Sequence, residues 1–130
     1  RREKLGKKLL KAIDSAESKT ANNTAGTLAV CFNYGGQLEI VDAIKRIVAS
    51  GVSAEKIDSH LVDKNIYQPS LPPIDLVIRT SGEHRLSNFM LWRIAYSEII
   101  FIDKLWPDMK TEDLKAALKE FNKRVGRFGE

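Results

Sequence analysis

The stretch from residue 75 to 102, DLVIRTSGEHRLSNFMLWRIAYSEIIFI, places a polar loop between two apolar runs. Both runs, Asp75–Thr80 and Ile99–Ile102, are short and rich in β-branched residues. Such runs are typical of strands that are buried on both faces of a parallel sheet. Between them, Asn88–Tyr96 predicts one or two helical turns that carry Trp92. The segment therefore predicts two strands of a parallel sheet joined across a polar loop.

Further elements are predicted on the N-terminal side of this segment and after it. The apolar run Thr27–Phe32 predicts a third buried strand, and the turn Asn33–Gly36 leads into a helix that ends at Gly51. Other helices are predicted from apolar spacing at Leu5, Leu9, Ile13 and Ala16, from an N-cap at Ser53 to about Val62, and from a cap at Thr111 onward. This order predicts an α/β fold in three layers, a parallel sheet flanked by helices.

Length and composition indicate one small globular domain over residues 1–130, with a hydrophobic content of 43%. Three strands are few for a sheet covered on both faces, so we expect more sheet upstream of Arg1. The net charge of +4 is mildly basic. It favours an anionic ligand but is too small to indicate nucleic acid, which we do not expect as a partner.

The single cysteine, Cys31, lies within an apolar run and has no second cysteine with which to form an intramolecular disulfide. No apolar stretch approaches the ~20 residues that span a bilayer. We therefore expect a reduced, cytoplasmic setting.

The polar loop after Asp75–Thr80 carries the residues that are candidates for binding or catalysis. Arg79 is expected at the carboxyl end of a strand, where ligands of open parallel sheets collect. Arg85 and Ser87 can fold back toward Arg79. Two guanidinium groups and a hydroxyl suit a phosphate or a diphosphate. His84 adds a candidate metal ligand or proton carrier.

A second interpretation of the same loop stays open from spacing alone. The arginines can instead pair with nearby carboxylates such as Asp75 and Glu83. Likewise, His84 alone is more often a surface histidine than a ligand, and Glu98 alone is more often a charge at the edge of a strand.

Residues 75–108, DLVIRTSGEHRLSNFMLWRIAYSEIIFIDKLWPD, resemble the signature region of the cis-prenyltransferases, the undecaprenyl diphosphate synthase family. Upstream, TLAVCFNYGG followed by Glu39 and Ile40 is similar to that family's N-Y-G-G-R-x-[DE]-I stretch, although Gln37 stands where the family usually has Arg. Downstream, the residues from Arg127 to Gly129 resemble the family's R-x-G ending. The resemblance covers essentially the whole chain, in the family's order.

The resemblance implies a role for each matching residue. Arg79, Arg85 and Ser87, with the backbone of Leu86, would hold the diphosphate of isopentenyl diphosphate. Glu98 would bind Mg²⁺, with His84 close to the same ion. The R-x-G ending would place Arg127 and Gly129 at the active site of the neighbouring subunit in a homodimer.

The implied reaction condenses isopentenyl diphosphate with an allylic prenyl diphosphate to give a polyprenyl diphosphate. The family's first-strand motif, Asp-Gly-Asn-x-Arg, does not occur in these residues. It supplies the family's metal-binding Asp, so we expect no catalytic residue in this half and expect the chain to be the C-terminal part of a longer enzyme. Alone, it is expected to be inactive in elongation. The lipid product implies association with a membrane surface.

Two other functions are less well supported by these residues. The first is the non-catalytic partner subunit of a two-component cis-prenyltransferase, which typically loses much of the substrate loop, whereas Arg79, Arg85, Ser87 and Glu98 are retained here. The second is a general phosphate-binding or nucleotide-binding α/β domain, and no glycine-rich P-loop or GxGxxG supports it. The aromatic residues of the signature region, among them Trp92, Tyr96 and Trp106, are more typical of a core or a dimer contact than of a prenyl-binding stripe.

Overall fold

A computed structural model of the chain describes residues 2–124. These residues divide into two compact units, with the boundary between Tyr34 and Gly35. The prediction of one domain over residues 1–130 stays a prediction. Among the described residues, no helix combines the length and the apolar character that crossing a bilayer requires.

The first unit contains helix α1, Lys7–Thr20, as the apolar spacing predicted. Arg2 lies against this helix and donates hydrogen bonds to the carboxylates of Asp14, at 2.6 Å, and Glu17, at 2.9 Å. No residue of α1 is buried. Helix α1 thus contributes surface ion pairs but no buried residue to the first unit.

The predicted strand Thr27–Phe32 is wrong for this structure, because the segment forms no β-ladder. Leu28 is 90% exposed and Val30 is 74% exposed. A strand must pair its N–H and C=O groups with a neighbouring strand, and the described part of the first unit contains no other strand. An apolar run therefore stays extended and exposed where the sequence predicted burial.

The second unit contains a parallel two-stranded sheet, which confirms the predicted α/β class with flanking helices. Strand β1 is Leu76–Arg79 and strand β2 is Glu98–Phe101. Leu76 lies opposite Glu98, and Arg79 lies opposite Phe101. Both strands begin and end within one or two residues of the predicted ranges.

The connection between the strands contains one of the one or two helical turns predicted at Asn88–Tyr96, and that turn begins only after Met90. Ser87, Asn88 and Met90 have φ values of 49°, 63° and 45°. An α-helix requires φ near −63°, so these left-handed residues reverse the chain instead of starting a helix. A single turn follows, in which the N–H groups of Arg93 and Ile94 donate to the Met90 carbonyl at 2.9 and 3.1 Å.

Helix α2, Gly36–Ala49, confirms the helix predicted after the glycine turn. It ends at Ser50, and Gly51 adopts the left-handed conformation expected after a helix, with φ at 73°. Its buried residues share one face and are Gly36, Glu39, Ala43 and Ile47. The Glu39 carboxylate accepts a hydrogen bond from the Tyr67 N–H at 3.1 Å.

Neither predicted N-cap caps an α-helix. Ser53 occupies the N-cap position of a single 3₁₀ turn, Ala54–Lys56, without a side-chain cap hydrogen bond, and helix α3 follows at Ser59–Asp63. Its cap is Asp58, whose Oδ1 accepts from the Leu61 N–H at 2.8 Å, and not Ser53. A carboxylate at that position satisfies a free N–H and also suits the positive end of the helix.

Helix α4, Thr111–Phe121, follows a 3₁₀ turn at Trp106–Asp108 and contacts β2. Thr111 is its first helical residue rather than its cap. Instead, Asp113 reaches back to accept a hydrogen bond from the Lys110 N–H at 2.9 Å. The other oxygen of this carboxylate accepts from Lys104 at 2.6 Å, which ties the helix to the segment after β2.

Candidate anion-binding site

The candidate site lies at the carboxyl end of β1, where Arg79 is the last residue of the strand. The loop that follows is fixed to the segment after β2, because the N–H groups of Ser81 and Gly82 donate to the carbonyls of Lys104 and Ile102 at 2.8 and 3.0 Å. Ser81 and Gly82 have φ values of 74° and 64°. This tight turn brings the rest of the loop back over the end of the sheet.

Glu83 brings the two predicted arginines together. Its Oε2 accepts a hydrogen bond from Arg79 and its Oε1 accepts one from Arg85. The hydrogen bond from Arg79, assisted by the charge of Arg85, holds the pKa of the Glu83 carboxyl below its ordinary value of 4.5. Pairing with Glu83 was the second interpretation of this loop, and the structure contains that pairing. The same pairing also places both guanidinium groups around one carboxylate.

The cluster keeps cationic donors for a further anion. Two guanidinium groups and one carboxylate leave a net charge of +1. The Nε of Arg79 is buried without a hydrogen-bond partner in the described structure, and the Arg85 side chain is 62% exposed. A guanidinium group has five N–H donors, so both arginines keep donors besides those that bind Glu83.

The residues after Arg85 follow the edge of this cluster. Leu86 is half-buried, and its carbonyl accepts from the Phe89 N–H at 3.0 Å. Ser87 is exposed. The structure thus places the predicted substrate-binding residues Arg79, Arg85, Leu86 and Ser87 along one loop at one end of the sheet. Their contacts with a substrate stay a prediction.

His84 stacks on Phe101, with ring centroids 4.4 Å apart and an angle of 23° between the rings. Phe101 is the residue of β2 that lies opposite Arg79. The imidazole therefore covers the end of β2 next to the arginine cluster.

Glu98, the other predicted metal ligand, begins β2 and so lies three residues before Phe101, about 10 Å along the strand. It forms an ion pair with Arg124 at 2.9 Å. Hydrogen bonding to Glu98 raises the pKa of the Arg124 guanidinium. Arg124 also donates to the Ile99 carbonyl at 3.1 Å.

His84 and Glu98 therefore lie near opposite ends of one strand in this chain, and their binding of Mg²⁺ stays a prediction. Within residues 2–124, no group of three or more His, Cys, Asp or Glu side chains is arranged to hold a metal ion. The other predicted substrate contacts, Arg127 and Gly129, lie outside the described residues.

Asn88 also lies in this region, and no role was predicted for it from the sequence. Its main-chain carbonyl accepts from the Gly36 N–H at 2.7 Å, and its side-chain Oδ1 accepts from the Gln37 N–H at 2.8 Å. Two features of the sequence could have indicated this contact. They are the glycine pair that opens a helix and the asparagine that ends the arginine loop.

A cleft of about 620 Å³ lies between the segment that precedes β1 and the turn that precedes β2, and neither Arg79 nor Arg85 is among its lining residues. It is lined largely by apolar residues, among them Ile66, Leu71, Pro73, Ile74, Leu91 and Trp92. The Trp92 Nε1 donates to Asp63 at 2.7 Å. Tyr96 and Trp106 are largely exposed, so these aromatic residues do not form one buried stripe.

Three comparisons place this arrangement among known proteins. A family model described as undecaprenyl diphosphate synthase matches residues 1–129. An isoprenyl transferase from Tropheryma whipplei is 48% identical over an alignment of 130 residues. The match covers 97% of this chain and 52% of that protein. The ditrans,polycis-undecaprenyl-diphosphate synthase of Escherichia coli, specific for (2E,6E)-farnesyl diphosphate, is 41% identical over 126 residues, covering 94% of this chain and 50% of the relative.

The fold matches as well. Lavandulyl diphosphate synthase from Lavandula x intermedia, solved in complex with dimethylallyl diphosphate, is similar with a TM-score of 0.91 and 33% identity. The match covers 99% of this chain and 57% of that one. The chain thus spans about half the length of the relatives that it matches.

Proposed function

Because the chain belongs to the cis-prenyltransferase family, we propose that it carries the isopentenyl diphosphate site of an enzyme that condenses isopentenyl diphosphate with an allylic prenyl diphosphate. The single observation that carries this proposal is the convergence of Arg79 and Arg85 on Glu83 at the end of β1. A diphosphate presents several anionic oxygens, and it can accept from both guanidinium groups at once.

In the proposed reaction, the allylic substrate loses its diphosphate as the C–O bond breaks. The double bond of isopentenyl diphosphate forms the new C–C bond to that carbon, and a proton then leaves the product. The protein must hold two polyanions in register and offset their charge. Arg79 and Arg85 would perform this task for isopentenyl diphosphate by fixing its diphosphate, so that its double bond is held in a constant position.

The chain alone would bind isopentenyl diphosphate without elongating a prenyl chain. Its length is about half that of its relatives, and the motif that supplies the family's metal-binding Asp does not occur in it. The requirement for Mg²⁺, the homodimer, the cytoplasmic location and the membrane-surface association are proposals that follow from the resemblance. Formation of a polyprenyl product from farnesyl and isopentenyl diphosphates by this chain alone would contradict the proposed inactivity.

Calorimetric titration with isopentenyl diphosphate tests the site directly. We expect saturable binding that weakens by about tenfold or more in Arg85→Ala, because a hydrogen bond to a charged group contributes roughly 1.5–3 kcal/mol. Arg2→Ala is the matched control, since Arg2 also bridges two carboxylates but belongs to the first unit. Equal weakening by both substitutions, or no effect of Arg85→Ala, would remove the arginine cluster from the proposal.

A further inference from the structure

The start of α2 has no capping side chain of its own. Gly35 occupies the N-cap position and makes no side-chain hydrogen bond. The first N–H groups of a helix have no partner within the helix and must find acceptors elsewhere. Here Asn88 provides two, accepting from the Gly36 N–H at 2.7 Å and from the Gln37 N–H at 2.8 Å. A residue of the arginine loop thus caps a helix whose Gln37 lies 51 positions earlier in the chain.

Asn88 is suited to this contact by its backbone. Its φ of 63° follows the φ of 49° at Ser87, and asparagine adopts the left-handed conformation more readily than other residues with a side chain. Asn88 stands next to Ser87 and three residues after Arg85. Its anchoring therefore limits where this part of the loop can lie.

The glycine pair makes the contact sterically possible. A Cβ on Gly36 would lie 2.9 Å from the Leu91 Cγ, 3.0 Å from the Leu91 nitrogen and 3.1 Å from the Asn88 carbonyl oxygen. A Cβ on Gly35 would lie 2.9 Å from the Asn88 Nδ2. Backbone atoms cannot yield as the end of a flexible side chain can. Residues 88–91 would therefore have to move away from the helix.

We propose that Asn88 is a positioning residue, which fixes the Arg85–Ser87 part of the loop against the start of α2 for diphosphate binding. This inference rests on the proposed function and concerns the same site. Helix α2 is a firm reference because Ala43 and Ile47 are buried in the core. A loop that is already ordered loses less conformational entropy when its ligand binds. Without the contact, this cost would weaken binding although Arg79 and Arg85 are unchanged.

Asn88→Gly isolates the side-chain contact, because glycine accepts the left-handed φ and keeps the carbonyl that binds the Gly36 N–H. We expect five- to tenfold weaker binding of isopentenyl diphosphate and of inorganic pyrophosphate, measured by calorimetry. Loss of hydrogen-exchange protection at the Gln37 amide should accompany it. Asn65→Gly is the matched control, since the Asn65 side chain also bonds a main-chain group, donating from its Nδ2 to the Leu61 carbonyl at 2.9 Å. It should change stability and leave both affinities unaltered.

Gly36→Ala tests the contact from the helix side, with Gly6→Ala as its control, because a Cβ on Gly6 meets no atom within 4 Å. We expect Gly36→Ala to weaken binding and Gly6→Ala to have no effect. Binding like that of the unsubstituted chain by a folded Asn88→Gly variant would overturn the positioning role.

Failure of the unsubstituted chain to bind either probe would refute the proposed function itself, and amide NMR would then decide the positioning role. Shifts of the Arg85 and Ser87 resonances in Asn88→Gly, absent in Asn65→Gly, would support it. Unchanged Arg85 and Ser87 resonances in Asn88→Gly would rule out the positioning role.

Discussion

At the scale of single residues, Glu83 determines how the two arginines of the candidate site are held together and what net charge they carry. It gathers Arg79 and Arg85 and lowers the charge of the cluster to +1, which suits a site that must hold two cationic side chains together before a polyanion arrives. The residue was considered from the sequence as a partner that would compete with ligand binding. In the structure, this competing pairing is also what assembles the site.

This arrangement predicts how stability depends on pH. The pKa of Glu83 is below its ordinary value of 4.5 in the folded chain. The ion pairs therefore contribute stability at pH values above 4.5 and lose it as the pH falls through the lower, folded value. We expect the free energy of unfolding of the unsubstituted chain to exceed that of Glu83→Gln at pH 7, and the difference to shrink below pH 4.5.

Denaturant unfolding at a series of pH values measures this difference. Glu112→Gln is the control, since Glu112 is an exposed glutamate on α4. A difference between the unsubstituted chain and Glu83→Gln that stays constant from pH 7 to pH 3 would contradict the account of Glu83.

At the scale of elements, the sequence predicted what local chemistry alone determines. Strands β1 and β2 were found within two residues because their apolar runs lie between polar residues. The end of α2 was found because glycine readily adopts the left-handed conformation that Gly51 has after the helix. The strand predicted at Thr27–Phe32 was wrong, and the turns predicted from Asn88 were found only in part, for a different reason. A strand requires a neighbouring strand, and Asn88 is held left-handed by a helix far away in sequence, so neither outcome is encoded locally.

The different exposure of two adjacent residues on helix α2 allows a direct test of how the helix is oriented. Ile47 is 2% exposed and the adjacent Val48 is 66% exposed. We expect Ile47→Ala to reduce the free energy of unfolding by about 2–5 kcal/mol, because it leaves a cavity in the core. Val48→Ala should cost less than about 1 kcal/mol. Similar losses from both substitutions, measured by urea unfolding, would mean that α2 is turned differently.

Arg93 holds the proline-containing segment that precedes β1. It donates to the carbonyls of Leu71, at 3.0 Å, and of Tyr67 and Gln68, each at 2.6 Å. We expect Arg93→Leu to cost about 1–3 kcal/mol, because three carbonyls lose a charged donor. Arg2→Leu, which breaks only exposed ion pairs, should cost clearly less. Thermal unfolding of the two variants compares them, and equal losses would show that Arg93 is not structurally important.

At the scale of the whole molecule, the chain presents apolar surface that its own described residues do not cover. On α2, Val41, Ile44 and Val48 are exposed, and so are Leu28 and Val30 in the first unit. A helix that is apolar on more than its buried face is typical of a larger assembly. The family could be identified from the sequence because its motifs are contiguous, whereas the position of Glu98 relative to His84 depends on strand register.

The central claim is that Arg79 and Arg85 bind one diphosphate together, and a double-mutant cycle of affinities for isopentenyl diphosphate tests it most directly. The cycle compares the unsubstituted chain with Arg79→Lys, Arg85→Lys and the double variant by calorimetry. Lysine keeps the charge but not the planar fork of donors. We predict a coupling energy of about 0.5–3 kcal/mol, as found for residues that share one partner. Additive effects of the two substitutions, or affinities that neither substitution changes, would contradict a shared diphosphate site.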